Sequence, residues 1–175
     1  MSVRDAMLGI LTLGPAYGLQ LHAELGERAP HRAKTNVGQI YATLDRLVKS
    51  GHVAEAGATT DGLPLYQLAP QGVEDAREWL TGATVVTLPE WPDFLDQVLV
   101  ARTVDDSAIA ILLTRYRSVL GTADKTLSDE LSLAADAALR SAASTWLDIV
   151  EKAGSDVRGY QTNRPKRGRP SKKKD

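Results

Sequence analysis

The 175 residues include no cysteine, which excludes disulfides, zinc ribbons and thiol catalysis, while 43% hydrophobic content suffices for one or two small domains with a core. Aromatics are only 5%, so alanine and leucine must fill that core, which favours helices. The net charge of −1 conceals a split: residues 164–175 hold Arg164, Lys166, Arg167, Arg169, Lys172, Lys173 and Lys174 against Asp175, leaving +6 on this tail and −7 on the rest. No apolar run reaches the ~18 residues of a membrane span, and no basic-then-apolar leader opens the chain, so a cytoplasmic protein is expected.

In chain order, Ser2 can cap a first helix through Val3, Met7, Leu8, Ile10 and Leu11, which Gly14-Pro15 breaks. A second helix runs from Tyr17 to about Arg28, with Leu19, Leu21, His22 and Leu25 near its buried side. Pro30 ends it, and residues 31–35 form a loop. In the third, Asn36 can cap the N-terminus with Gln39 closing a capping-box-like pair. Val37, Ile40, Tyr41, Leu44, Leu47 and Val48 repeat at helical spacing until Gly51, leaving Gln39, Ala42, Thr43, Arg46 and Lys49 outside. Val53 to Gly57 and Leu63 to Leu68 flank a turn at Asp61-Gly62, and Pro70 opens a fourth helix through Val73, Ala76 and Leu80. A polar-faced helix followed at once by a hairpin is the helix-and-wing layout of DNA-binding domains.

Thr81 to Pro92 reads as a linker, and the rest of the body is helical. Pro92 to Arg102 carries Phe94, Leu95, Val98 and Leu99. Asp105 or Asp106 caps a run through Ile109, Leu112, Leu113, Tyr116, Leu120, Ala123 and Leu127. About Leu133 to Ala153 forms the last helix, with Gly154 as its C-cap. Its stripe of Ala138, Leu139, Ala142, Trp146 and Val150 finds too little partner surface in one chain. Leu139, Ala142, Trp146 and Val150 are therefore expected to pack on a second copy. Residues 155–175 have almost no apolar content and are expected to be disordered. The fold class is mainly α: a winged helix-turn-helix domain (1–82), a helical dimerisation domain (83–154) and a basic tail (155–175).

The order Met7-Leu8-Gly9-Ile10-Leu11, Gly14-Pro15-Ala16-Tyr17-Gly18-Leu19-Gln20-Leu21, Gly38-Gln39-Ile40-Tyr41-Ala42-Thr43-Leu44-Asp45-Arg46-Leu47, Gly51-His52-Val53, Tyr66-Gln67-Leu68 and Gly72 resembles the PadR family of bacterial transcriptional regulators. The helical half resembles the longer PadR-type dimerisation domain in length, segment order and Trp146-Leu147. The resemblance implies a homodimeric repressor on a palindromic operator, released by a small molecule. One stretch departs from the family. Gly62-Leu63-Pro64-Leu65-Tyr66 has leucines where the family's wing carries basic residues, which weakens any phosphate clamp there. The tail segment Pro165-Lys166-Arg167-Gly168-Arg169-Pro170 resembles an AT-hook. Gly168 lets the backbone approach a minor-groove floor, Lys166, Arg167 and Arg169 supply charge, and Pro170 stiffens the extended chain.

On this reading Gln39, Thr43 and Arg46 reach base edges. Thr35, Tyr41, Lys49, Thr59 and Thr60 touch phosphates, and the tail enters the minor groove beside the main site, at the nucleoid. Trp91 and Trp146 are candidates for an effector pocket at the dimer interface, with plain core packing the simpler reading. His22, His31 and His52 share no metal-ligand spacing, and no cofactor is expected. Neither a phosphate-binding glycine loop nor a nucleophile elbow is present, so an enzyme is not expected. The alternative is a winged helix used for protein–protein contact, which a salt-sensitive DNA shift separates from the main reading.

Overall fold

A computed structural model describes residues 3–122 and 129–161. Among these, the elements run α1 (Val3–Leu11), α2 (Gly18–Arg28), a 3-10 turn at Pro30–Arg32, α3 (Val37–Lys49), β1 (Val53–Ala58), β2 (Pro64–Leu68), α4 (Pro70–Thr81), α5 (Trp91–Val104), α6 (Asp106–Leu120) and α7 (Glu130–Ala153). Ser2, Ala123 and Leu127 lie outside the described residues, as do Lys166, Arg167, Gly168, Arg169 and Pro170 of the AT-hook-like segment.

Short-range chemistry sets most helix ends. Asn36 Oδ1 accepts from the Gly38 N–H at 2.7 Å, and the return bond expected from Gln39 is not formed, so the α3 cap is one-sided. Of the two acidic candidates before α6, Asp105 caps, accepting from Ser107 and Ala108 N–H groups at 2.7 and 2.9 Å. Asp129 caps α7 by accepting from Ser132 N–H at 2.8 Å, so that helix starts three residues before Leu133. Pro70 and Pro92 sit in first turns, where a missing N–H costs nothing.

α1 is the central helix: Val3 and every residue from Asp5 to Leu11 are buried. It packs on α2, α3, α4 and α5. At Gly72 an added Cβ would lie 2.0 Å from the His52 carbonyl oxygen, so glycine there lets α4 begin against the start of the wing. β1 and β2 pair antiparallel as Val53↔Leu68, Ala54↔Gln67 and Glu55↔Tyr66, with a bulge before Ala58↔Pro64. Ala16 exchanges backbone hydrogen bonds with Tyr66 (3.0 and 2.9 Å), tying the α1–α2 turn to the wing.

The expected division between residues 82 and 83 does not separate two cores. One cluster holds Met7, Leu25 and Leu80 together with Phe94, Val98, Leu112 and Leu147. α5 is buried on several sides, Asp96, Gln97 and Thr103 included, which explains why its apolar residues do not fall on one stripe. Polar ties reinforce the join. Arg32 grips buried Asp96 with Nε at 3.0 Å and Nη2 at 2.7 Å from Oδ2, and His31 Nε2 lies 2.8 Å from Oδ1. Gln97 donates to the Trp79 carbonyl and accepts from the Tyr116 hydroxyl, whose pKa burial pushes well up.

Residues 155–161, expected to be disordered, are ordered instead. Asp156 and Arg158 donate their N–H groups to the free carbonyls of Arg102 and Thr103 at the end of α5, at 3.0 and 3.1 Å. Low apolar content is a poor guide here, because these residues are held by backbone hydrogen bonds and by the single ring of Tyr160.

Candidate nucleic-acid interface

α3 buries Ile40, Leu44 and Leu47 and leaves Gln39, Ala42, Arg46 and Lys49 as one exposed stripe. Thr43 corrects the sequence reading: it is only 4% exposed and is withheld from base edges. Its position is about 40° around the helix from both Gln39 and Leu47, on the border of the outer and inner stripes, and packing against α1 decides its burial. It lines a groove of about 340 Å³ between α1 and α3, with Val3, Arg4, Gln39, Arg46, Leu47 and Ser50. There its Oγ1 accepts from Arg46 Nη2 at 3.1 Å while Arg46 Nε donates to the Ala42 carbonyl at 3.1 Å. Thr43 thus positions Arg46 and leaves the outward contact to it.

The flanks of α3 hold the other candidates. Tyr41 is 37% exposed, and its ring covers Gly18 so closely that a Cβ there would sit 2.6 Å from a ring carbon. The α2–α3 turn is pinned by His22, whose Nε2 donates to the Thr35 carbonyl at 2.8 Å. In the wing, Thr59 Oγ1 donates to Asp61 Oδ1 at 2.5 Å and accepts from Leu63 N–H at 3.0 Å, so this hydroxyl serves the turn. Thr60 is exposed at the tip. From residue 53 to 68 the sequence has Glu55 and Asp61 but no Lys or Arg.

Arg4 is a residue that the sequence reading passed over. Its Nη2 donates to Asp75 Oδ2 at 2.8 Å, which also lies 3.2 Å from His52 Nε2. The hydrogen bond from Arg4, then that from Gln71, holds the Asp75 carboxyl below its ordinary pKa. His52 in turn lies 2.7 Å from the Ser50 hydroxyl, linking α1, the end of α3 and α4. Partners 71 residues apart leave no local sequence signal.

The dimer and effector candidates divide. Leu139 (42% exposed) and Ala142 are on an outer face, whereas Val150 is only 7% exposed and shares the inner face with Ala143 and Leu147. Trp146 turns inward as well. Its ring meets Trp91 at a tilt at 6.0 Å and Phe94 edge-on at 5.2 Å, and Phe94 meets Tyr116 edge-on at 4.7 Å. Both tryptophans are half-buried and pack against the shared core. Among the described residues no His, Asp and Glu group is arranged to hold a metal ion, and no helix is long and apolar enough to cross a membrane.

A winged helix-turn-helix whose second helix presents Gln39, Arg46 and Lys49 outward defines a DNA-binding transcriptional regulator. Residues 7–78 match the family described as "Transcriptional regulator PadR-like family". Among solved structures the chain is similar to the crystal structure of Bacillus subtilis PadR in complex with operator DNA. The identity is 17%, with coverage of 85% of this chain and 96% of that one and a TM-score of 0.44. No curated protein sequence matches the chain.

Proposed function

We propose that the protein is a homodimeric repressor that reads a two-fold symmetric operator, with α3 of each copy in the major groove. The observation that carries this reading is the α3 stripe: a fully buried inner face fixes the helix, and its outer edge ends in two exposed cations. Gln39 and Arg46 reach base edges. Lys49, Tyr41, Thr35 and Thr60 contact phosphates. The two copies meet through the amino-terminal half of α7, where Leu131 (83% exposed), Leu133 and Leu139 stay exposed among the described residues.

A small-molecule effector fits this reading, in the groove of about 410 Å³ between α6 and α7. Its floor is Ile109, Leu113 and Val150, and its rim includes Arg117, which bonds Asp148 and Glu151 of α7. The protein works in the cytoplasm at the nucleoid, with no cofactor.

The test is selection of duplexes from a random pool by the full chain, followed by footprinting across a salt series. An inverted repeat bound with a steep salt dependence is expected. Binding that ignores both sequence and salt would favour the winged helix as a protein–protein module.

A further inference from the structure

After α7 the chain turns back. Gly154 and Ser155 form part of the wall of the α6–α7 groove, and the Ser155 hydroxyl donates to the Asp106 carboxylate in the first turn of α6. From there Ser155–Gln161 crosses the end of α5, where the Asp156 and Arg158 N–H groups meet the Arg102 and Thr103 carbonyls. The segment ends on α1 and α2. Tyr160 donates its hydroxyl to the carbonyls of Gly14 (2.7 Å) and Ile10 (3.1 Å), and the Gln161 N–H donates to Glu24 Oε1 at 2.6 Å. Seven residues thus join the groove to the turn between α1 and α2. Ala16 of that turn exchanges two backbone hydrogen bonds with Tyr66 of the wing, and α2 packs on both α3 and β2.

The segment is held through one buried ion pair. Arg28, 2% exposed, donates from Nε to Glu24 Oε2 at 2.9 Å and from Nη1 to the Thr103 carbonyl at 2.8 Å. Its Nη2 donates to the carbonyls of Arg158 and Gly159, both at 3.0 Å. A buried Arg–Glu pair is costly to desolvate unless its remaining donors and acceptors are used, and here the segment uses them. Lifting the segment takes two acceptors from Arg28 and a donor from Glu24 at once. Partial release is therefore penalised, and two arrangements are favoured, latched and free.

We propose that Ser155–Gln161 is a latch that holds the α1–α2 turn and the wing in position for DNA, and that a small molecule filling the α6–α7 groove releases it by displacing Ser155. The proposal rests on the DNA-binding and effector readings above. Coupling between distant sites needs a contiguous path with two discrete arrangements. Each step of this path is a hydrogen bond or a chain link: Ser155 at the groove wall, Tyr160, Gly14, Ala16 and Tyr66. The coupling is reciprocal, so DNA on the wing tightens the latch and lowers the affinity of the groove for its ligand.

The test uses the full chain. Ala110, exposed at the groove wall, is replaced by Trp, so that an indole inside the groove stands in for the ligand. Tyr160→Phe removes the latch hydroxyl and leaves the groove untouched. Hydrogen exchange at the Ala16 and Tyr66 amides reads the turn–wing bonds without DNA. Affinity for a duplex selected from a random pool by the wild type reads the function. Each variant should speed exchange of both amides about fivefold and weaken binding about fivefold. The double variant should match the single ones, since both open the same latch, whereas independent lesions would multiply to about 25-fold. The Met7 and Leu8 amides inside α1 should keep the wild-type exchange rate throughout. Multiplied losses, faster exchange at Met7 and Leu8, or unchanged Ala16 and Tyr66 in Ala110→Trp would each overturn the proposal. An enriched duplex that all variants bind equally would defeat the latch alone. A wild-type chain that enriches no sequence would defeat the DNA-binding reading itself, and this proposal with it.

Discussion

α3 and α7 are both amphipathic helices, and within one chain only α3 is complete. Its inner residues Ile40, Leu44 and Leu47 are at most 2% exposed, and its outer edge of Gln39, Arg46 and Lys49 is stable in water. α7 is covered only in its second half, at Ala143, Leu147 and Val150. From Leu131 to Ala142 no residue is buried, although the stretch contains three leucines and five alanines. Each Å² of apolar surface left in water forgoes about 25 cal/mol. The difference separates two roles: a polar outer face awaits a charged ligand, and an apolar one needs another protein surface.

The largest expected effect tests the covered half of α7. Leu147→Ala should cost about 2–5 kcal/mol in denaturant unfolding, because it leaves a cavity against α6. Leu139→Ala measured on dilute protein should stay within about 0.5 kcal/mol. Equal costs would erase the contrast between the two halves.

Next comes the uncovered half. Leu131→Glu with Leu139→Glu should give a folded monomer in sedimentation, with affinity for an inverted repeat reduced about 10²-fold. Trp146 is unsuitable for this test, since its ring belongs to the Trp91–Phe94–Tyr116 cluster. A dimer that persists in the double variant would remove α7 from the interface.

The α3 edge should respond more finely. Arg46→Ala should lose about 1–3 kcal/mol of discrimination at one base pair per half-site. Lys49→Ala should instead weaken all sequences alike and lower the salt slope by about 0.9 per site. Thr43→Val keeps the helix packed but frees the Arg46 guanidinium, and it should blur the same base preference without changing the salt slope. If it behaved as wild type, Thr43 would have no positioning role.

The smallest effect is set by pH. Asp75 has a folded pKa below its unfolded value, so its contribution is full above roughly pH 4 and is lost as pH falls through the lower folded value. Melting temperatures followed from pH 7 to pH 2 should fall more steeply in the wild type than in Asp75→Asn. Parallel curves would show that the Arg4–Asp75–His52 link adds nothing.

Much of the helical layout was legible because its signals are local. Asn36, Asp105 and Gly154 stand next to the ends they cap, and Ile40, Leu44 and Leu47 recur at the helical period. The errors arose where periodicity is blunt. Thr43 and Arg46 are both polar and three residues apart, and only the packing of α1 against α3 decides which faces outward. A stripe drawn through Leu139, Ala142, Trp146 and Val150 likewise joined residues that belong to two faces of α7.

The sequence by itself determined the element order, the helix-and-wing layout, the charge split between body and tail and the missing cations of the wing, since each follows from neighbouring residues or from counting. Only the tertiary structure decided that α5 joins the winged-helix core, that Trp146 and Val150 turn inward and that Ser155–Gln161 is ordered. Those outcomes depend on partners such as Arg28 and the Arg158 carbonyl, 130 residues apart, which hydrogen-bond only once the chain has folded.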